Sequence, residues 1–256
     1  MAKEPKTTMK IIQLNVWCGR VRDSTVTFLK EENADIVCTQ EIIHSQKKLP
    51  GLFDSVQIHN QISELYPYVY FSPTFDYQQM DSKILFGNAI YSKFPISDEE
   101  TIFTHESYIE NRSLHIGDNK SGRNLQLCKV TSPYGEFIVA NHHGHHTFHH
   151  HGDENSIKSL TVVADALSQV GSPLIFCGDL NTSYESEAIK VFDKSGLRNI
   201  TKERNVQTTL SELSRVPVDV PCDYIFTSEE VKLLNFSVSE KIISDHKALI
   251  LEFTIE

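Results

Sequence analysis

The stretch Phe176-Cys177-Gly178-Asp179-Leu180-Asn181 constrains this chain more than any other. The run ahead of it, Pro173 to Cys177, is short and apolar, as in a strand buried on both faces. Gly178 allows a tight backbone turn. An acid and an amide then follow two residues apart, Asp179 and Asn181, on one side of the chain if the backbone stays extended. A carboxylate placed there takes a proton or holds a metal, and a carboxamide holds a water or an oxygen. Asp and Asn also favour ordinary turns, so the remaining sequence has to separate the two readings.

The same pattern recurs along the chain. Met9 to Val16 reads as a core strand ending at Asn15. Asp23 to Asn33 reads as a helix with Asp23 or Ser24 as N-cap. Ala34 to Thr39 is a second buried strand that delivers Gln40-Glu41 at its end. A strand–helix–strand opening with polar strand ends is where α/β enzymes place their chemistry. Ser45 to Gln61 reads as loop with a poorly marked helix, Tyr66 to Phe71 as a strand, and Pro73 to Ser82 as a polar loop. Ile84 to Ser92 is a strand, with Pro95 ending the ladder. Ile102 to Ile116 holds one or two strands around Glu110-Asn111-Arg112. Asn124 to Thr131 and Glu136 to Ala140 form a hairpin. Asn155 to Val170 is an amphipathic helix, and a second helix is expected from about Glu185 to Lys194. After a loop from Asn199 to about Val220 come strands at Asp223 to Thr227, Val231 to Val238 and Ala248 to Phe253. Many strands, few helices, no repeat and no long linker predict a tail over residues 1–8 and one domain over 9–256. Two packed sheets flanked by helices would bury most of it.

Composition narrows the function classes. A net charge of −10 argues against coating long nucleic acids by charge alone, but a metal site made of carboxylates is compatible with it. No run is long and apolar enough to span a membrane, and no amphipathic membrane-binding helix is visible. The N-terminus has no apolar signal region. Five scattered cysteines with no CxxC pair fit buried free thiols, and with that a cytoplasmic, monomeric protein is expected.

The polar residues that end or adjoin apolar strands are Asn15, Glu41, Asn141, His143, Asp179, Asn181, Asp223, Asp245 and His246. Convergence of so many acids and amides is hard to explain as packing, because buried carboxylates are costly unless paired or metal-bound. Hard oxygen ligands without a cysteine among them suit Mg²⁺ or Mn²⁺.

The ordered motifs Leu14-Asn15-Val16, Gln40-Glu41, Gly87-Asn88-Ala89-Ile90, Asn141-His142-His143, Gly178-Asp179-Leu180-Asn181, Asp223-Tyr224-Ile225-Phe226 and Ser244-Asp245-His246 resemble the endonuclease/exonuclease/phosphatase superfamily, the DNase I-like enzymes, from Met9 to the C-terminus. The resemblance implies an α/β fold, a four-layered α/β-sandwich of two mainly antiparallel sheets flanked by helices. It also implies metal-dependent hydrolysis of a phosphate ester. By motif, Glu41 resembles the main metal ligand, with Asn15 beside it and Asp245 near a metal. Asp179 resembles the residue that orients or deprotonates the attacking water, with Asn181 holding water or phosphate. His246, polarised by Asp223, and His143 resemble the two histidines at the scissile phosphate. Arg112, Asn88 and Asn141 are the candidate phosphate contacts.

Two stretches depart from that pattern. Many relatives carry a basic residue before the Asp-Tyr-Ile segment, where this chain has Cys222. Seven of the twelve histidines lie between His142 and His151. The plain reading of that segment is a solvated loop; the functional one is a metal-binding or substrate-contacting lid.

The leading expectation is a Mg²⁺-dependent phosphodiesterase or nuclease acting on a short or single-stranded nucleic acid, a nucleotide or a small diester. An inositol-phosphate phosphatase or sphingomyelinase-like phospholipase is the alternative within the same chemistry. A non-catalytic, histidine-rich metal-binding protein is the alternative from another class.

Overall fold

The computed structural model describes residues 8–45, 58–79, 81–113, 122–147, 149–171, 173–216 and 220–256. The expected tail up to residue 7, most of the expected 45–61 loop and the end of the expected 102–116 strand region lie outside the described residues.

Among the described residues, twelve strands form two six-stranded sheets. The first runs in the order β11 (Val231–Val238), β12 (Leu249–Ile255), β1 (Met9–Asn15), β2 (Ile36–Ser45), β4 (Ser82–Ser92) and β3 (Tyr68–Gln79). The second runs β5 (Ile96–His105), β6 (Arg123–Ser132), β7 (Gly135–His143), β8 (Leu174–Asp179), β10 (Asp223–Thr227) and β9 (Arg198–Asn199). Each sheet holds one parallel pair, β1 with β2 and β7 with β8. Parallel neighbours need a long crossover, which helices α1 (Arg22–Glu32) and α3 (Glu154–Gln169) supply.

Side chains alternate between the two faces of a strand, and here both faces are covered. Ile11, Ile36 and Cys38 of the first sheet meet Val139, Ile175 and Ile225 of the second in one buried core. On the outer face of the first sheet, Ile12 and Val37 pack with Phe28 of α1 and Ile58 and Ile62 of α2 (Ile58–Ser63). On the outer face of the second, Phe176 and Phe226 pack with Leu160 and Val163 of α3. The layers are therefore helix, sheet, sheet, helix, the four-layered sandwich expected from the sequence. The short strand β8 is buried at every position, which is why its sequence is a continuous apolar run.

Several local expectations are corrected. Helix α1 begins after Val21 with no side-chain cap, and Asp23 instead pairs with the neighbouring Arg22 guanidinium. Strand β3 continues through Pro73 to Gln79 where a loop was expected; a register shift between Pro73 and Phe75 accommodates the proline. The β4 ladder does end ahead of Pro95, at Ser92, and β5 of the other sheet starts immediately after the proline. The helix expected from Glu185 reduces to a 3₁₀ segment, Ile189–Lys194. There the Ser186 hydroxyl accepts the Ala188 N–H at 3.1 Å and competes with helical bonding. The expected loop after Asn199 opens with a short helix, α4 (Ile200–Glu203), capped by the Asn199 side chain.

Candidate active site

Asn15, His143 and Asp179 end β1, β7 and β8, Arg123 and Asp223 begin β6 and β10, and His246 lies just ahead of β12. The register places Asp223 directly opposite Asp179. Glu41 arrives differently from the expectation. Strand β2 does not end there but continues to Ser45, with a bulge between Thr39 and Ile42 and Glu41 in the left-handed region at φ 57°. The bulge divides two adjacent residues between two tasks. Gln40 is fully buried between the sheets, where it exchanges hydrogen bonds with Gln13 at 2.7 and 2.9 Å. Glu41 faces a cleft of about 620 Å³.

The glycines act by close approach more than by turning. A Cβ on Gly178 would stand 2.7 Å from the His142 carbonyl, and one on Gly144 only 2.4 Å from the Leu180 carbonyl. The turn expected at Gly178 falls instead at Asn181, at φ 53°. Bringing these segments so close lets the Asn181 carboxamide donate to the Gly144 carbonyl at 3.3 Å.

Asp179 is 1% exposed and is held from both sides. Asn15 Nδ2 donates to its Oδ2 at 2.9 Å, and the Asn181 N–H donates to its Oδ1 at 3.0 Å. The Asn15 carboxamide is itself oriented, because its Oδ1 accepts the Trp17 N–H at 2.9 Å. Burial pushes the Asp179 carboxyl up to about 7, with Asp223 adding to the rise and His246 opposing it. His246 Nδ1 lies 2.8 Å from Asp223 Oδ2, and its Nε2 lies 3.8 Å from Asp179 Oδ2. Burial disfavours a charged His246, but Asp223 and Asp179 outweigh it and hold the imidazole well above its usual pKa. Asp223 is in turn fixed by Thr209 Oγ1 at 2.7 Å and Gln13 Nε2 at 3.2 Å.

His143 is the opposite kind of histidine. Arg123 Nη1 stands 3.1 Å from its Nδ1. A guanidinium only donates, so Nδ1 accepts and the proton sits on Nε2. That N–H points toward Asp179 Oδ2 at 3.6 Å and Glu41 Oε1 at 4.0 Å. Burial, then the Arg123 charge, keeps His143 well below its usual pKa and therefore neutral. A charged and a neutral histidine thus present Nε2–H groups on two sides of one carboxyl.

On the other side stand Glu41 and Asp245, whose side chains keep 24% and 18% of their exposure. Burial, opposed by His246 and reinforced by Glu41, lifts Asp245 to about 6. Glu41 and Asp245 face open space, and the buried Asn15 carboxamide oxygen lies on the lining of the same cleft; these hard-oxygen donors fit a divalent cation such as Mg²⁺ or Mn²⁺. Among the described residues, ligand-type atoms also gather within 4.8 Å at Asp179, Cys222, Asp223 and His246. That group suits a cation poorly. His246 Nδ1 is engaged with Asp223, and Cys222 offers soft sulfur where Mg²⁺ or Mn²⁺ takes hard oxygen.

The candidate residues do not all reach the cleft. Arg112 lines it, with its guanidinium 4.5 Å above the Phe75 ring. Asn88 and Asn141, expected at the phosphate, do not line it and are corrected to buried supports. Asn88 Nδ2 donates to Asn124 Oδ1 at 2.9 Å. Asn141 accepts from Gln40 at 2.6 Å and donates to Gln126 at 2.9 Å, extending the amide chain across the sandwich. The solvated-loop reading of the histidine segment also fails in part. His145, His146 and His150 line the cleft with His143, while His142 is fully buried beneath it and His149 and His151 are exposed. Arg123 escaped the sequence reading. Its signal was a lone cation opening an apolar strand, a strand start where mainly strand ends had been weighed.

Five cleft residues that are not glycine adopt left-handed backbone: Trp17, Cys18, Glu41, His150 and Asn181, at φ 49–57°. Such strain costs roughly 1–3 kcal/mol per residue and collects where geometry serves a site.

A profile of the Endonuclease/Exonuclease/phosphatase family matches residues 12–246. No curated protein matches the sequence significantly. Among solved structures, the chain resembles an endonuclease/exonuclease/phosphatase from Bacteroides vulgatus at TM-score 0.73 and 18% identity, over 98% of this chain and 100% of that one. It resembles the Bacteroides thetaiotaomicron mannosyl-6-phosphatase at TM-score 0.67 and 16% identity, over 96% and 100%. It also resembles the human Nocturnin catalytic domain, solved with a bound sulfate anion, at TM-score 0.65 and 18% identity, over 98% and 94%.

Proposed function

Because the chain belongs to the endonuclease/exonuclease/phosphatase family, whose members are phosphoester hydrolases, we propose that it is a Mg²⁺- or Mn²⁺-dependent phosphodiesterase that cleaves by direct attack of water. The observation that carries this reading is the pairing around Asp179: His246 at 3.8 Å, His143 at 3.6 Å, and Asn15 fixing the carboxyl at 2.9 Å.

Asp179, ionised, takes the proton of the attacking water as the water oxygen bonds to phosphorus, while Asn15 and the Asn181 backbone hold the two carboxylate oxygens; the P–O bond to the alcohol breaks and the departing oxygen takes up a proton from solvent. The Nε2–H groups of His246 and His143 donate to the non-bridging oxygens as negative charge builds there. Asp223 keeps His246 charged, and Arg123 keeps the His143 proton on the side facing the phosphate. A cation held by Glu41, Asn15 and Asp245 would supply Lewis acidity and neutralise charge. Arg112 adds a positive charge at the cleft wall.

A short single strand, a nucleotide or a small diester fits the acidic chain better than long duplex. Phosphomonoester hydrolysis is the second reading, favoured by the likeness to a structure named as a mannosyl-6-phosphatase.

The test is turnover of single-stranded DNA, RNA, an aryl phosphodiester, a sugar phosphate and an inositol polyphosphate with Mg²⁺, Mn²⁺ or EDTA. Asp179→Asn is expected to lose roughly 10²–10⁴-fold in kcat. Diester cleavage that needs metal and Asp179 supports the leading reading, and turnover of monoesters alone moves the protein to the second. Metal-independent turnover, or none at all by folded, metal-binding protein, overturns both.

A further inference from the structure

The cleft carries more oxygen-anion donors than one scissile phosphate can use. A phosphoryl group has at most three non-bridging oxygens, and His246, His143, Asn181 and a cation already address them. Further donors line the cleft, Arg20, Arg112 and His145 among them, and three of these further side chains, Arg123, His146 and His150, bear on a second anion.

Two of these three are buried with polar atoms that have no well-placed partner. Arg123 is 8% exposed, and its Nε makes no hydrogen bond although Nη1 engages His143. His150 is 1% exposed, and neither of its ring nitrogens meets a partner in good hydrogen-bond geometry, the Asn181 backbone acting on the ring only weakly. Buried polar groups are almost always satisfied, and an orphan costs about 1–3 kcal/mol. His150 also sits at φ 51°, so the chain accepts backbone strain to place that ring. His146, exposed, connects the two: its ring centroid is 5.6 Å from that of His150, and it lies within the field of the Arg123 charge.

Two chemistries could satisfy orphaned imidazoles, a metal ion or an anion. The metal is the poorer fit. Among the described residues, no set of three ligand atoms within 4.8 Å includes His146 or His150, and the positive Arg123 guanidinium lines the same cleft and acts on His146. An arginine flanked by imidazole N–H groups matches phosphate oxygens.

We propose that Arg123, His146 and His150 form a second-phosphate subsite beside the scissile position, so that the preferred substrate is an ester whose alcohol or nucleoside carries another phosphate. This rests on the hydrolase reading of the cleft and specifies its substrate class.

Binding without turnover tests it. Calorimetry would compare AMP, ADP and adenosine 3′,5′-bisphosphate on the full chain with Mg²⁺ present. At least one bisphosphorylated probe is expected to bind roughly tenfold or more tightly than AMP, the gain of one or two charge-assisted hydrogen bonds. That ratio is expected to fall toward one in His150→Asn, which tolerates the left-handed backbone, and in the surface variant His146→Gln. If His150→Asn does not fold by circular dichroism, His146→Gln carries the test alone. Equal binding of all probes to the wild type, no binding of any, or a ratio unchanged in a folded variant would overturn the subsite. Failure of the hydrolase reading would appear separately, as absent ester turnover with probe binding intact.

Discussion

At the scale of single residues, the site depends on where protons sit. Asp179 in the folded chain titrates near 7, against about 3.9 for an unperturbed aspartate. Between those values the native state holds a proton that the unfolded state has released. Native stability therefore falls as pH rises from about 4 through about 7, and the loss is complete above that. Asp179→Asn removes the buried charge and forfeits one hydrogen bond. In EDTA it should melt about 2–6 °C above the wild type at pH 8, with the advantage gone by pH 5; thermal melts across pH check this. Arg123 is the complementary case. Arg123→Gln should lower kcat about 10–100-fold, with Arg123→Lys intermediate, because an oriented imidazole loses its partner. Nitrogen NMR of the His143 ring should show the Nε2–H tautomer in the wild type and a mixture in Arg123→Gln. An unchanged tautomer would remove the positioning role.

At the scale of elements, two irregularities build the cleft. The β2 bulge turns Glu41 outward while Gln40 stays inside, and the contact of Gly144 with the Leu180 backbone fixes the distance between the β7 and β8 exits. Gly144→Ala puts a methyl 2.4 Å from a backbone oxygen that no rotamer change can move. It should cost about 1–3 kcal/mol in urea unfolding. It should also reduce kcat at least tenfold, on the order expected when a reacting group such as Asn181 moves by a fraction of an ångström. Loss of stability with wild-type kcat would show that the contact serves folding alone.

At the scale of the whole molecule, the two sheets are joined by an apolar core and by a buried amide chain from Gln13 through Gln40 and Asn141 to Gln126. The chain meets the active site at Asp223 through Gln13, so sheet packing and site geometry are coupled. The gathered carboxylates repel one another in the metal-free protein, and a bound cation should relieve this. Mg²⁺ at about 100 times its Kd should add roughly 2.7 kcal/mol of stability, read as a Tm rise over EDTA. Glu41→Gln should abolish most of that rise. No helix among the described residues is long and apolar enough to cross a membrane.

By itself, the sequence determined the sandwich and picked out most of the polar strand-end residues that gather at the cleft. Strand periodicity is local, and acids or amides at the ends of apolar runs such as Leu14-Asn15 and Gly178-Asp179 stand out because burying them is costly. What needed the tertiary structure was the direction of each side chain. Asn141 and His143 are two residues apart on β7, yet Asn141 is tied to Gln40 and Gln126 between the sheets while His143 reaches the cleft. Gln40 and Glu41 separate only because a bulge intervenes. Arg123, His146 and His150 line one cleft only because β6 and the segment after β7 converge on it. Such partners are chosen by packing between segments distant in sequence, and no local pattern of residue types encodes that choice.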